Sequence, residues 1–279
     1  MRAASAARTQ RVLLPAYIGF TEREGSGVFD PVQENHSEAT FYRVNADLSV
    51  DMDDLRAQLA AGADIVLVIH YFGFCRSDMQ AIRALCDAHG ALLVEDCAHA
   101  FHLETPGSAL GTVGDFAFYS LHKFIATDSG GILKTNRPVI ELPPLRPEDA
   151  AAREVLEQYA LSDFNLIKTI RRQNYALYAE LLDGLGQVEM MYALNDTETP
   201  QTFPIRVKDG QREALYFYLM ERDVPTTALY YRMIDQIDPA RYPESIALSQ
   251  SILNLPVHQD TTLDDVRVVC DNVRQFFAR

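Results

Sequence analysis

The chain has 279 residues, of which 48% are hydrophobic and 23% charged. That is the composition of an ordinary globular protein, not of a disordered chain, a collagen-like fibre or a disulfide-stapled miniprotein. Lys and Arg total 25 against 39 for Asp and Glu, and a net charge of −14 with no basic run disfavours a nucleic-acid partner.

In chain order, MRAASAARTQRV contains no apolar segment of signal-peptide length. No apolar run approaches the roughly 18 residues of a membrane-crossing helix, so no membrane partner is expected. Ala39 to Val44 reads as a strand, and Asp51 to Ala61 as a helix opened by acidic residues that suit its N-terminal dipole. DIVLVIHYF is a continuous apolar, β-branched run, the mark of a strand buried on both faces of a parallel sheet. Asp78 to His89 has helical spacing of Met79, Ile82, Leu85 and Cys86, with Gly90 as a stop. ALLVED (Ala91 to Asp96) reads as the next buried strand. Two β-α-β units in succession predict an α/β domain with a mostly parallel sheet.

Beyond residue 133 the character changes. Pro138, Pro143, Pro144 and Pro147 mark a loop, Asp163 to Leu182 a long helix, QTFPIRV a strand, and Arg212 to Arg222 and Leu263 to Phe277 further helices. These place a boundary near residue 160, between a large α/β part (1–160) and a small α+β part (161–279). Cys75, Cys86, Cys97 and Cys270 form no C-x-x-C pair, which fits a reducing, cytoplasmic setting.

Ligands of open α/β sheets gather at the carboxyl ends of strands. Three features fall there. Glu95-Asp96-Cys97-Ala98-His99 closes ALLVED, and a carboxylate at a dry strand end is costly unless paired or chemically employed; capping the next helix is the simpler alternative. Ser120-Leu121-His122-Lys123 follows the strand-like FAFY, and a Lys there, partly desolvated, would be a nucleophilic amine; a snorkelling surface cation is the simpler alternative for the residue taken alone. Asp128-Ser129-Gly130-Gly131 is a tight turn that allows close backbone approach. If a helix starts after the strand, Asp96, His99 and His102 share a face near His70, but the spacing matches no specific zinc pattern, and a metal is disfavoured. A buried Asp, then Ser-x-x-Lys, then Gly-Gly is the set that pyridoxal phosphate needs. Lys forms the Schiff base, Asp keeps the pyridine nitrogen protonated, and the hydroxyl and turn amides hold phosphate.

The segments VLLPAY (12–17), FYRVNADLSVDMDDL (41–55), VIHYFGF (68–74), LLVEDCAHA (92–100), LGTVGDFAFYSLHK (110–123), DSGGIL (128–133) and ILNLPVHQ (252–259) resemble, in order and spacing, the DegT/DnrJ/EryC1/StrS family of sugar aminotransferases. The resemblance implies a fold-type-I architecture and a pyridoxal-phosphate enzyme. It makes Lys123 the Schiff-base lysine and Asp96 the partner of the pyridine nitrogen. Ala98 would lie against the ring, His99 would take a place often held by Gln at the phenolic oxygen, and Ser120 would contact the phosphate. The aromatic that stacks on the ring would come from near Gly19, with Tyr17 and Phe20 as candidates. Asn165 lies near where family members supply a residue across a homodimer interface. The implied activity is amino transfer from a donor such as glutamate to a keto sugar, nucleotide-linked, or a related cyclic ketone.

Two departures qualify that expectation. The spacing from Ser120 to Lys123 is about two residues shorter than the family's usual stretch. Only Met1 to Arg11 precede VLLPAY, whereas family members begin with a helix whose amides bind phosphate, so weak cofactor binding is expected. The rival readings are a catalytically silent relative serving as a scaffold, which the short start motivates, and a sugar dehydratase with His in place of Lys, which Lys123 opposes.

Overall fold

The computed structural model describes residues 9–23, 25–103, 106–138 and 140–279. Residues 1–8, on which the expectation of a shortened start partly falls, lie outside the described residues.

Strands β1 (Arg11–Pro15), β2 (Glu38–Tyr42), β3 (Ile65–Ile69), β4 (Leu92–Cys97), β5 (Phe116–Ser120) and β6 (Gly131–Thr135) form one sheet in the order β2-β1-β3-β4-β5-β6. The first five run parallel and β6 antiparallel. Helix α1 (Asp30–Glu34) connects β1 to β2, α2 (Met52–Ala60) connects β2 to β3, and α3 (Met79–His89) connects β3 to β4. Local chemistry sets these boundaries. Asp51 caps α2 by accepting from the Asp53 and Asp54 amides, and Asp78 caps α3 through Ala81. Gly90 ends α3 in the left-handed conformation at φ 67°. Strand β3, IVLVI, is buried at every position, as its unbroken apolar run requires.

The rest of the chain forms α4 (Arg153–Leu161), α5 (Phe164–Leu182), β7 (Val188–Met190), β8 (Thr202–Val207), α6 (Arg212–Met220), α7 (Pro243–Ser251), β9 (Ile252–Pro256) and α8 (Leu263–Phe277). β7, β8 and β9 make a small antiparallel sheet. Tyr175 and Tyr178 of α5 pack on Phe203 of β8, with ring centroids 4.5 and 5.0 Å apart. The architecture is therefore a mostly parallel α/β sheet followed by a smaller α+β part. Among the described residues, no helix is long and apolar enough to cross a membrane.

Elements beyond those expected from the sequence pattern are short or weakly patterned. Helix α7 alternates Ser with apolar residues and takes its start from Pro243 in the first turn. Strand β9 carries Asn254 in its buried interior, where the residue exchanges backbone hydrogen bonds with Thr227 and donates to Thr202 Oγ1 at 3.0 Å.

Candidate active site

Adjacent residues of a strand face opposite sides of its sheet, and Glu95 and Asp96 of β4 have opposite circumstances. Glu95 is fully engaged. Oε1 accepts from the Val113 and Gly114 amides at 2.8 and 2.6 Å, while Oε2 accepts from Gly111 at 2.9 Å and stands 2.6 Å from His70 Nε2. Burial pushes the Glu95 carboxyl up, but His70 and these amides outweigh it and hold it below its ordinary value. Asp96 is buried, and among the described residues its carboxylate accepts one hydrogen bond, from the Ala98 amide to Oδ1 at 2.8 Å. Burial raises its carboxyl; the Ala98 bond and the Lys123 charge only partly oppose that. A carboxylate so placed is matched to a cation brought by a ligand.

Lys123 ends a single 3₁₀ turn, Leu121–Lys123, directly after β5. The buried Phe124 and Ile125 that follow anchor the turn. Burial lowers the Lys123 ammonium below its ordinary value, and Asp96 pulls in the opposite direction. His99 is buried and held well below its ordinary value, by burial first and by the Lys123 charge second. Its Nδ1 accepts from the Phe72 amide at 3.3 Å, so the neutral ring carries its proton on Nε2 as a donor.

Asp96, Ala98, His99 and Lys123 line one cavity of about 520 Å³ at the carboxyl ends of the strands. Gly19, Phe20, the Gly25-Ser26-Gly27 turn, Gln201 and Tyr230 complete its lining, with Gly19 packed directly against the Tyr230 ring. The Tyr230 ring lies 6.0 Å from that of His99, and Phe72 stacks on His99 at 6.1 Å with 14° between planes. Both aromatics have left-handed backbones, φ 59° at Phe72 and φ 62° at Tyr230, a strain of about 1–3 kcal/mol each that clusters at functional sites. Gly73 lets the chain turn here: at φ 96°, a Cβ would lie 2.9 Å from the Thr199 carbonyl oxygen and 3.0 Å from that of His99.

Other expected groups lie elsewhere. Tyr17 is fully buried behind Tyr230, edge-on at 5.2 Å, and does not line the cavity. Phe20 does line it. Ser120 directs its hydroxyl to His122 Nδ1 at 3.0 Å and is not part of the cavity wall. The Gly130-Gly131 turn leads into β6 and abuts Val155 of α4, where a Cβ on Gly130 would meet Cγ1 at 2.6 Å. Asn165 is exposed on the first turn of α5. The helix that would have grouped Asp96, His99 and His102 does not form, because the Asp96–Ala98 bond turns the chain at once; His102 Nε2 instead meets the Tyr159 hydroxyl at 3.1 Å. Sequence reasoning missed Tyr230, Gln201, Gly25 and the His70–Glu95 pair. The pair had a signal, since His70 directly follows β3 beside β4, whose Asp96 is in register with Ile69.

The residues fit pyridoxal phosphate in three respects: an amine of lowered basicity, a buried carboxylate with spare acceptor capacity, and an imidazole donor share one cavity wall. A model of the DegT/DnrJ/EryC1/StrS aminotransferase family matches residues 21–142 and 151–274. The chain belongs to that family. GDP-perosamine synthase of Vibrio cholerae is 25% identical over 266 residues, covering 82% of this chain and 71% of that protein. The aminotransferase TlmJ from Streptoalloteichus hindustanus superposes with a TM-score of 0.80 at 23% identity, covering 100% of this chain and 82% of that one. DesV of S. venezuelae, solved in complex with a ketimine intermediate, gives 0.80 at 19% identity, with 100% and 81% covered. Family membership and these likenesses fix the architecture as that of the fold-type-I aminotransferases.

Proposed function

We propose that the protein is a pyridoxal-phosphate-dependent aminotransferase that moves an amino group from a donor such as glutamate to a keto sugar, nucleotide-linked, or to a related cyclic ketone. The observation that carries this reading is Lys123 and Asp96 in the wall of one cavity, in a chain of this family. The similarity to GDP-perosamine synthase supports the sugar-nucleotide class.

Pyridoxal phosphate, when bound, supplies a conjugated sink for the electron pair left on a carbon that gives up its proton. The protein's own groups do the rest. Lys123, its basicity lowered by burial, is the amine that would hold the cofactor and then move the proton from the carbon that loses it to the carbon that gains it. Asp96 would hold the positive ring nitrogen, and the bond from the Ala98 amide orients its carboxylate for that task. His99 Nε2–H would donate to the ring's phenolic oxygen, while Ala98, Phe20 and Tyr230 supply apolar lining. Ser120 would reach a phosphate only after releasing His122. We assign residues 1–160 to the large cofactor-binding α/β part and 161–279 to the small α+β part. The family resemblance supports a homodimer, and the four free cysteines support a reducing cytoplasm.

The test is titration of the protein with pyridoxal phosphate, followed by addition of glutamate or glutamine while the cofactor's visible absorbance is recorded. The reading expects saturable binding and conversion of the cofactor to its amine form. No bound cofactor and no conversion with any donor would leave the scaffold reading standing.

A further inference from the structure

Arg171 of α5 is a fully buried cation, 1% exposed, that among the described residues hydrogen-bonds no carboxylate. A buried charge is costly unless its donors are satisfied, so its partners matter. NH2 donates to the Lys123 carbonyl at 2.8 Å, NH1 to the carbonyls of Pro200 and Gln201 at 3.4 and 3.2 Å, and Nε to Gln259 Oε1 at 3.0 Å. The guanidinium also lies over the Phe124 ring, 4.5 Å from its centroid. Gln259, just past β9, turns its own Nε2 to the Phe124 carbonyl at 3.0 Å.

We infer that Arg171 and Gln259 are positioning residues for Lys123: bonded to each other, they grip the consecutive carbonyls of Lys123 and Phe124 and so fix the turn from which the Lys123 amine enters the cavity. This rests on the reading of Lys123 as the cofactor lysine. The planar fork of Arg suits the task, because one rigid group reaches three carbonyls on two backbone segments at once. Both segments, at Lys123 and Gln201, line the cavity. The clamp also couples the sites of the two sheets. β5 delivers the Lys123 turn, and the α5 and β9 region holds it. With the turn held, Lys123 stays in its desolvated place; with the turn loose, its chain swings to water and its basicity returns to that of an ordinary lysine.

The experiment measures the pH dependence of acetic anhydride labelling at Lys123, read by peptide mass spectrometry, in the full chain after hydroxylamine has removed any bound aldehyde. Exposed Lys208 serves as the internal reference. The variants Arg171→Lys and Gln259→Met both preserve the charge at their sites, and the second keeps the fold accessible if the first is damaged. The inference expects the labelling midpoint of Lys123 to rise in both, with reactivity at a fixed lower pH falling about tenfold for each pH unit of that rise, while Lys208 is unchanged. An unchanged Lys123 midpoint in folded Gln259→Met, whatever its melting temperature, would overturn the clamp. Borohydride mapping of the wild type separates the two claims. If Lys123 carries no cofactor yet its midpoint moves, the functional reading fails and the clamp stands. If Lys123 carries cofactor and its midpoint stays, only the clamp fails.

Discussion

His70 Nε2 stands 2.6 Å from Glu95 Oε2 in the dry interior, at the strand position next to Asp96. Burial alone would lower the imidazolium of His70, but its bonds to Cys75 and Glu95 prevail and raise it to about 10. Its folded value thus exceeds its unfolded one, so the stabilisation is complete below about pH 6.5 and is lost as pH rises towards 10. Chemical denaturation at a series of pH values should show that decline in the wild type and a flatter profile in His70→Asn. Glu95→Ala removes the acceptor for His70 and for three turn amides, and it should cost about 3–5 kcal/mol at neutral pH.

Asp96→Asn should leave stability equal or slightly higher, because burial disfavours the charge that the amide removes. Its turnover should fall by about 10²–10³, the usual cost of losing a preorganised electrostatic partner. Denaturation midpoints and steady-state rates check the two halves independently. Wild-type turnover in the Asn variant would reduce Asp96 to a turn-former through Ala98.

Lys123→Ala should retain the fold, since the turn is held through the Lys123 carbonyl and the buried Phe124 and Ile125, and should lose at least 10²–10⁴ in rate as its proton-transfer role disappears. In the wild type, the rate-limiting base should titrate below the ordinary lysine value, because burial lowers the ammonium of Lys123. A pH–rate profile with that limb above the ordinary value would contradict the assignment.

Gly19 tests the Tyr230 wall. A Cβ there would lie 2.3 Å from Tyr230 Cδ1, so Gly19→Ala must displace the ring. Loss of an aromatic contact is worth about 0.5–1.5 kcal/mol, and cofactor affinity should weaken by roughly two- to tenfold at 1.4 kcal/mol per decade. Tyr230→Leu should do the same, whereas Tyr17→Phe should leave affinity unchanged, because Tyr17 does not line the cavity. Equilibrium titration of all three variants decides between the two tyrosines.

Much of this was readable in the sequence where one element contains the whole signal. β3 is an unbroken apolar run, α2 and α3 carry their caps, and α8 opens with a capping box in which Thr262 and Asp265 bond reciprocally. Asp96 and Lys123 were legible because each sits at the end of a recognisable strand. The groups that required distant segments were not. Tyr230 reaches the site through a loop zipped to the segment after β1, by the Phe20 amide to the Arg232 carbonyl at 3.0 Å and the Ile234 amide to the Ile18 carbonyl at 3.1 Å. No local periodicity encodes that pairing. Ser120 and the Gly130-Gly131 turn looked suited to phosphate on composition, but a hydroxyl two residues from His122 and a turn against Val155 find local partners instead.

The measurement that tests the central claim most directly is borohydride reduction of the protein saturated with pyridoxal phosphate, followed by peptide mapping. The account predicts one irreversibly modified residue, Lys123, in the peptide containing Ser120 to Phe124. Modification of a different lysine, or none in protein shown by titration to be saturated, would contradict it.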